Sequence, residues 1–251
     1  MSQLLDAIDE VARLGGETAL SQFRANIAVE TKQDGTVVTQ ADRQTEQVIR
    51  DWIEKHFPDD GIIGEEFGSV RTDAQRHWII DPIDGTVSFV HGVPLWGTLI
   101  ALAEGETILA GAINCAATNE LLVAERGMGS WYNGARCSVS TVNTVGEATV
   151  LTANENFGEL VARQSGWQRL AERARVRRTW GDCYGYLLVA TGRAEVMTDP
   201  VMNDWDSAAP SIVIEEAGGV FTDWDGRQTP FGKCSIGTNA ALAQEARALL
   251  V

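Results

Sequence analysis

The 251-residue sequence is short of several features that would define a function class. Basic residues are few, since 20 lysines and arginines stand against 35 aspartates and glutamates, and the formal net charge is -15 at pH 7. A chain with this balance offers no basic face, so we expect neither nucleic acid nor an anionic membrane among its partners. The same charge would repel a phosphorylated substrate unless divalent cations intervened.

Histidine and cysteine are also sparse. The three histidines share no ligand spacing, and the four cysteines are scattered without a CxxC pair. This pattern argues against a zinc site and against a disulfide framework. No arrangement of serine, cysteine or histidine suggests a covalent nucleophile.

Long apolar runs are absent as well. No stretch approaches the roughly 20 apolar residues that cross a bilayer. Residues 1–20 have apolar side chains at helical spacing interrupted by Asp6, Asp9 and Glu10, which predicts an amphipathic helix and not a signal peptide. Because 44% of the residues are hydrophobic, the chain can still bury a sizeable core, and we expect a cytoplasmic globular protein.

The residue pattern predicts two halves that share a cleft. Residues 1–145 combine the first helix and a second helix over 39–57, capped by Thr39, with strands at 78–80, 97–103, 108–114 and 121–125, which is α+β. In residues 146–251 helices and strands alternate as in α/β layers. Helices are predicted from 145 through 170, at 182–191 and 205–217 and from about 239, with strands near 176 and through 196. The first half would carry most of the site residues, and the second would set specificity.

The segment Asp81-Pro82-Ile83-Asp84-Gly85-Thr86 follows the apolar run Trp78-Ile79-Ile80. Aspartate is almost never buried without a partner, so two aspartates at the end of a buried strand predict a cation site. The backbone carbonyl of Ile83 lies between them and is a further candidate ligand. Gly85 and Thr86 open what we predict as a short helix, whose free N–H groups suit a phosphate; a plain helix cap is the alternative for Thr86.

Other acidic residues are ambiguous on local sequence alone. Glu65 and Glu66 form a glycine-flanked pair that would be solvated unless it joins the two aspartates, where oxygen ligands suit Mg²⁺. Asp206 opens a predicted helix and could be a helix cap. Asp34 and Asp42 are expected at the surface.

Three segments resemble, in order and spacing, the signatures of the inositol monophosphatase family. They are Gly64-Glu65-Glu66, Asp81-Pro82-Ile83-Asp84-Gly85-Thr86, and Trp205-Asp206-Ser207-Ala208-Ala209 with Glu216-Ala217-Gly218-Gly219. Residues 32–42 are similar to the family's metal loop and the helix start that follows it. The resemblance covers nearly the whole chain.

The resemblance implies a layered αβαβα sandwich, typically a homodimer, that hydrolyses phosphate monoesters with Mg²⁺ and is often inhibited by Li⁺. Mn²⁺ is a possible replacement. Carried over by position, Glu65, Asp81 and the Ile83 carbonyl would hold one ion, and Asp81, Asp84 and Asp206 a second. Glu66 and Asp34 would support a weaker third. On this reading, the residues that act in catalysis are Glu65 and Thr86, which orient the attacking water, and Asp84.

Within the family, the segments 64–68, 89–100, 131–134 and 178–186 are similar to the branch that hydrolyses histidinol phosphate. Asp182 and Asp199 are the candidates for binding the cationic part of that substrate, next to Asp206. The alternative for Asp182 is that it only caps a helix. Val87 stands where the branch commonly has lysine. The alternatives are an inositol monophosphatase or broad sugar-phosphate phosphatase, a 3′-phosphonucleotide phosphatase, and a non-catalytic metal- or phosphate-binding protein.

Overall fold

The computed structural model of the chain describes residues 2–25, 29–31 and 37–251. Lys32, Asp34 and the rest of the predicted metal loop therefore lie outside the described residues. Among the helices that are described, none combines the length and the apolar character that a membrane crossing requires.

Two N-terminal helices form the first layer. Helix α1 (Gln3–Gln22) begins after Ser2, whose hydroxyl accepts the Leu5 N–H at 3.0 Å. Helix α2 (Gln40–His56) confirms the predicted helix and its cap, because the Thr39 hydroxyl accepts the Ala41 N–H and Asp42 accepts the Thr39 N–H. Strands β1 (Val29–Thr31) and β2 (Val37–Thr39) pair ahead of α2.

The second layer is an eight-stranded sheet of order β10-β9-β8-β7-β6-β5-β3-β4, antiparallel except where β3 pairs with β5. All four strands predicted in the first half are confirmed within it. Its strands are β3 (Gly61–Gly64), β4 (Gly68–Val70), β5 (Arg76–Asp84), β6 (Gly97–Glu104), β7 (Thr107–Cys115), β8 (Glu120–Glu125), β9 (Gly129–Tyr132) and β10 (Ala135–Arg136), and the short helix α3 (Thr86–Val90) follows β5.

The remaining layers come from the second half of the chain. A five-stranded sheet has the order β12-β11-β13-β15-β14, and the strands are β11 (Thr149–Thr152), β12 (Val176–Arg178), β13 (Val196–Asp199), β14 (Val220–Thr222) and β15 (Ser235–Thr238). Helices α5 (Cys183–Ala190) and α6 (Asp204–Glu216) are buried between the two sheets. Helices α4 (Val161–Arg173) and α7 (Ala243–Leu250) cover the outer face of the smaller sheet. The expected αβαβα sandwich is confirmed.

The predictions for the second half differ from the structure in three respects. The helix predicted from 145 begins only at Val161, because residues 149–152 form β11, a buried interior strand of the smaller sheet. Strands β14 and β15 were not predicted, and the last helix begins at Ala243. Short apolar runs do not distinguish strands from helices by periodicity, and only neighbouring strands decide between them.

The Glu216 carboxylate joins the end of α6 to the turn between β8 and β9. Its two oxygens accept the N–H groups of Gly127 and Gly129, both at 2.8 Å. Glu216, which belongs to the third of the segments that resemble the family, therefore has a structural role. The neighbouring Glu215 forms a 3.4 Å ion pair with the half-exposed Arg126.

Replacing Glu216 with alanine should lower the free energy of unfolding by about 1–3 kcal/mol, because two backbone donors lose their acceptor. Urea unfolding followed by circular dichroism measures the change. Glu215→Ala is the matched control and should cost at most about 1 kcal/mol, since exposed ion pairs contribute little. Equal losses in the two variants would contradict the assigned role.

Candidate metal and phosphate site

A bulge in β5 brings Asp81 and Asp84 to one place. In a regular strand, residues three apart point to opposite faces of the sheet. Here Asp81 pairs with Leu99 and Asp84 with Gly97, so two residues of β5 oppose a single residue of β6. Pro82, which has no N–H to give to the ladder, lies within the bulge, which re-aims the second aspartate toward the first.

The third member of the cluster is Asp206, in the first turn of α6. One carboxylate oxygen from each of Asp81, Asp84 and Asp206 can be chosen so that all lie within 4.8 Å of one another. Asn203 is the N-cap of α6, and Asp206 accepts its backbone N–H at 2.7 Å. Asp206 therefore closes a capping box and joins the carboxylate cluster at the same time.

Glu65 reaches this cluster from the turn between β3 and β4. Its N–H donates to the Ile80 carbonyl at 3.2 Å, which ties the turn to β5 immediately before Asp81. Its carboxyl group is near enough to raise the pKa of Asp81. Glu66 is not among the three clustered carboxylates, and its charge acts on Arg43 of α2.

Burial raises the pKa of every clustered aspartate. Asp81 and Asp84 have pKa values well above the usual range, first because they are desolvated and then because other carboxylates surround them. Burial likewise raises the pKa of Asp206 to about 6. Like charges held this close in a desolvated site need protons or a cation to compensate them.

The composition of the cleft around the cluster fits a hard divalent cation. The cleft has a volume of about 420 Å³, and the described residues that line it include no lysine or arginine. Its candidate ligand atoms are carboxylate and carbonyl oxygens, which hard ions such as Mg²⁺ and Mn²⁺ prefer. The residues present therefore fit such an ion.

Thr86 connects the cluster to α2. Gly85, with φ of 83°, is the N-cap of α3, so Thr86 is the first helical residue and not a cap. The Thr86 hydroxyl lies 3.0 Å from the Ile83 carbonyl and 3.3 Å from Asp42 Oδ1. The expectation that Asp42 lies at the surface is wrong, because it is 1% exposed. Its capping box with Thr39 was the only local signal, and that signal indicates a helix start.

A smaller pocket of about 90 Å³ opens beside the cluster. Asp84, Asp206 and the two predicted specificity residues, Asp182 and Asp199, line it. Asp199 accepts the Tyr186 hydroxyl at 2.8 Å and the Ala153 N–H at 3.1 Å. Burial raises the pKa of Asp199 to about 7 and that of Asp182 to about 6.

Asp182 has an unusual backbone for a non-glycine residue. It occupies the N-cap position of α5 with φ of 52° and ψ of -154°, and its side chain makes no capping hydrogen bond. A side-chain oxygen lies 3.0 Å from where a Cβ on Gly85 would stand. The strained residue thus places a carboxylate beside the turn that begins α3, and strain of this kind concentrates at functional sites.

Five alternating layers with a buried carboxylate cluster at the bulged end of a strand define a metal-dependent phosphomonoesterase. The chain belongs to the inositol monophosphatase family, whose sequence model matches residues 1–250. That family is metal-dependent.

Relatives with known names cover almost the whole chain. A histidinol-phosphatase from Chlorobaculum parvum is 43% identical over 94% of this chain and 92% of its own length. A histidinol-phosphatase from Mycobacterium tuberculosis is 38% identical over 96% of this chain and 93% of its own. The solved structure of an IMPase from Thermotoga maritima superposes with a TM-score of 0.89 at 32% identity, covering 99% of this chain and 97% of the other.

The raised carboxyl pKa values predict how stability depends on pH without metal. The folded protein keeps protons that the unfolded chain releases near pH 4, so this contribution is complete below about pH 4 and is lost as pH rises through about 6–7. We expect the thermal midpoint in EDTA to fall from about pH 5 to about pH 8. Millimolar Mg²⁺ should raise it more at the higher pH, because the ion competes with protons.

Differential scanning fluorimetry across this range, with and without Mg²⁺, measures both effects. A midpoint in EDTA that rises with pH over the same interval would contradict the assignment.

Proposed function

We propose that this phosphatase hydrolyses L-histidinol phosphate to L-histidinol and phosphate, with Mg²⁺, as a step of histidine biosynthesis. The observation that carries the proposal is the small pocket beside the carboxylate cluster, where Asp182 and Asp199 offer negative charge and no described lining residue is basic. A substrate with an ammonium group suits such a pocket better than a neutral polyol does. The names of the relatives from Chlorobaculum and Mycobacterium support the same substrate.

We assign the metal ligands to residues of the cluster and its neighbours. Glu65, Asp81 and the Ile83 carbonyl would hold one ion, and Asp81, Asp84 and Asp206 a second. Glu66 would support a weaker third ion together with Asp34, which lies outside the described residues. Mg²⁺ held there would supply an activated water and would neutralise charge on the phosphate and on the leaving oxygen.

The chain's own groups orient the reactants. Thr86 Oγ1 can accept a hydrogen bond from the attacking water while it donates to Asp42 Oδ1, 3.3 Å away. Glu65 would orient the same water. Desolvation raises the pKa of Asp42, which makes it a better proton acceptor through the Thr86 hydroxyl. The N–H groups of Gly85 and Thr86 would hold phosphate oxygens.

The two pocket carboxylates differ in their surroundings. Asp199 already accepts two protein hydrogen bonds, so it shapes the pocket as well as charging it. The Asp182 carboxylate makes no capping hydrogen bond at the start of α5, and it faces Gly85. Asp182 is therefore our first candidate for binding the substrate's ammonium group, which is only two carbons from the ester oxygen.

The second candidate substrate is inositol 1-phosphate. The similarity to the Thermotoga IMPase favours it, and so does Val87, which is 60% exposed at the cleft and adds no charge where the histidinol-phosphate branch commonly has lysine. The homodimer, the cytoplasmic location and the division of roles between residues 1–145 and 146–251 stay predictions.

Phosphate release from histidinol phosphate and from inositol 1-phosphate, assayed in parallel, tests the substrate. We expect a Mg²⁺-dependent preference for histidinol phosphate and no turnover in EDTA. Asp84→Asn should reduce turnover about a hundredfold or more, because a two-metal site stabilises the reaction by several kcal/mol. Equal rates on the two esters would contradict the proposed substrate. Near wild-type turnover by Asp84→Asn would contradict the assignment of Asp84 as a metal ligand.

Asp182→Asn tests whether Asp182 binds the ammonium group of the substrate. Loss of a charge-assisted hydrogen bond should raise KM for histidinol phosphate about ten- to a hundredfold. KM for inositol 1-phosphate, which has no cation, should change by less than about threefold, within the effect of a neutral contact. An equal change for both esters would show that Asp182 does not bind the amine.

A further inference from the structure

Helix α2 carries a buried polar stripe that the mechanism above uses only in part. Asp42, Glu46 and Arg50 lie at i, i+4 and i+8, on one face of the helix, and none is more than 7% exposed. An amphipathic helix ordinarily buries apolar side chains on such a face. Asp42 has a proposed role through its contact with the Thr86 hydroxyl, whereas no role has yet been assigned to Glu46 and Arg50.

Glu46 binds the backbone of the turn that presents Glu65. Its Oε2 accepts the Glu66 N–H at 2.7 Å, and its Oε1 accepts the Phe67 N–H at 3.2 Å. The Glu65 N–H is already bonded to the Ile80 carbonyl. Three successive N–H groups of the turn are therefore held, one by the strand that carries Asp81 and two by a single carboxylate.

Arg50 completes the arrangement. Its Nε donates to Glu46 Oε1 at 2.7 Å, which compensates a carboxylate that is fully buried. Its Nη2 donates to the Gly68 carbonyl at the far end of the turn. The ion pair thus spans the turn from Glu66 to Gly68.

The close approach of Glu46 also explains Gly64. A Cβ on Gly64 would stand 2.0 Å from Glu46 Oε1 and 2.6 Å from Arg50 Nη2. Any side chain there would displace the ion pair. The residue before Glu65 is glycine because the carboxylate occupies the space beside it.

We propose that Glu46 is a positioning residue for metal binding, which holds the turn so that Glu65 meets Asp81 before an ion arrives. This inference rests on the proposed role of Glu65 as a ligand. A buried ion pair is often no more stable than apolar residues of the same volume, so stability alone is a weak reason for one. A carboxylate gives each of the two adjacent N–H groups of this turn its own oxygen, and ligand-supporting contacts commonly set metal affinity.

Glu46→Gln tests the proposal, because the amide has the same shape but only one acceptor oxygen. We expect the Kd for Mg²⁺, measured by titration calorimetry on metal-free protein without substrate, to rise about ten- to a hundredfold. The KM for Mg²⁺ should rise in parallel, while kcat at saturating Mg²⁺ falls by a smaller factor.

Asp60→Asn is the matched control. Asp60 is also a buried carboxylate paired with an arginine, since it accepts from Arg76 at 2.9 Å and from Trp78 Nε1 at 3.0 Å. It precedes Gly61 at the opposite end of β3. Asp60→Asn should lower the thermal midpoint and leave the Kd for Mg²⁺ within about threefold, because Asp60 lies at the other end of β3 from the turn that carries Glu65.

A folded Glu46→Gln protein whose Kd matches that of Asp60→Asn would overturn the positioning role. Glu65→Gln distinguishes the positioning role of Glu46 from the assignment of Glu65 as a metal ligand. If it weakens Mg²⁺ binding and Glu46→Gln does not, only the positioning role is wrong. If Glu65→Gln leaves the Kd unchanged, the ligand assignment in the proposed function is wrong, and the positioning role falls with it.

Amide hydrogen exchange on the wild-type protein gives a test that needs no variant to fold. The Glu66 and Phe67 amides should be protected in EDTA, because their acceptor is Glu46 and not a metal-ordered group. Exchange at unprotected rates in EDTA, with protection only after Mg²⁺ is added, would overturn the inference.

Discussion

The burial of several carboxylates in one small volume is the constraint on which the rest of this structure depends. Asp81, Asp84 and Asp206 are desolvated and lie within 4.8 Å of one another, with Glu65 beside them. Their mutual repulsion and lost hydration must be offset by a cation or by protons. Local departures from regular secondary structure hold them together. The bulge in β5, the capping box of α6 and the turn after β3 each fix one of these residues.

The layered fold makes this convergence possible. Helix α6 is packed between the two sheets, so its first turn delivers Asp206 to the bulged end of a strand in the other half of the chain. Helix α5 lies in the same layer, and its N-terminus delivers Asp182 next to Gly85. Helix α2 reaches the site from the opposite face of the large sheet through Asp42 and Glu46. The site is therefore built by three layers, and no single half contains it.

The excess of acid in this chain has two consequences at the site. A phosphate group approaches a cleft whose described lining has no basic side chain, so its charge must be met by metal ions and backbone N–H groups. A cationic group on the same molecule meets carboxylates in the adjoining pocket. A substrate with both charges suits the whole site, and this joint requirement links the family's chemistry to a particular substrate.

The sequence by itself determined the family, because three short segments in the right order carry the resemblance. The layer order and the candidate metal ligands followed from that resemblance. Asp81 and Asp84 were predicted from their segment alone, whereas Asp206 was assigned only through the family resemblance. Four strands of the first half, β5 to β8, were located because their apolar runs are long. The second half was less accessible, since the short strands β11, β14 and β15 resemble helical or loop segments until their neighbours are known.

Only the tertiary structure decided which polar residues are buried and what they touch. Asp42 was expected at the surface because it lies at the head of a helix, and its contact with Thr86 spans 44 positions of sequence. Glu46 gave no local signal, since a glutamate in an amphipathic helix is usually solvated. Both are buried because α2 packs its polar stripe against the turn and the strand end that carry the carboxylate cluster. Contacts between residues so distant in sequence leave no trace in local pattern, because they depend on how the layers are stacked.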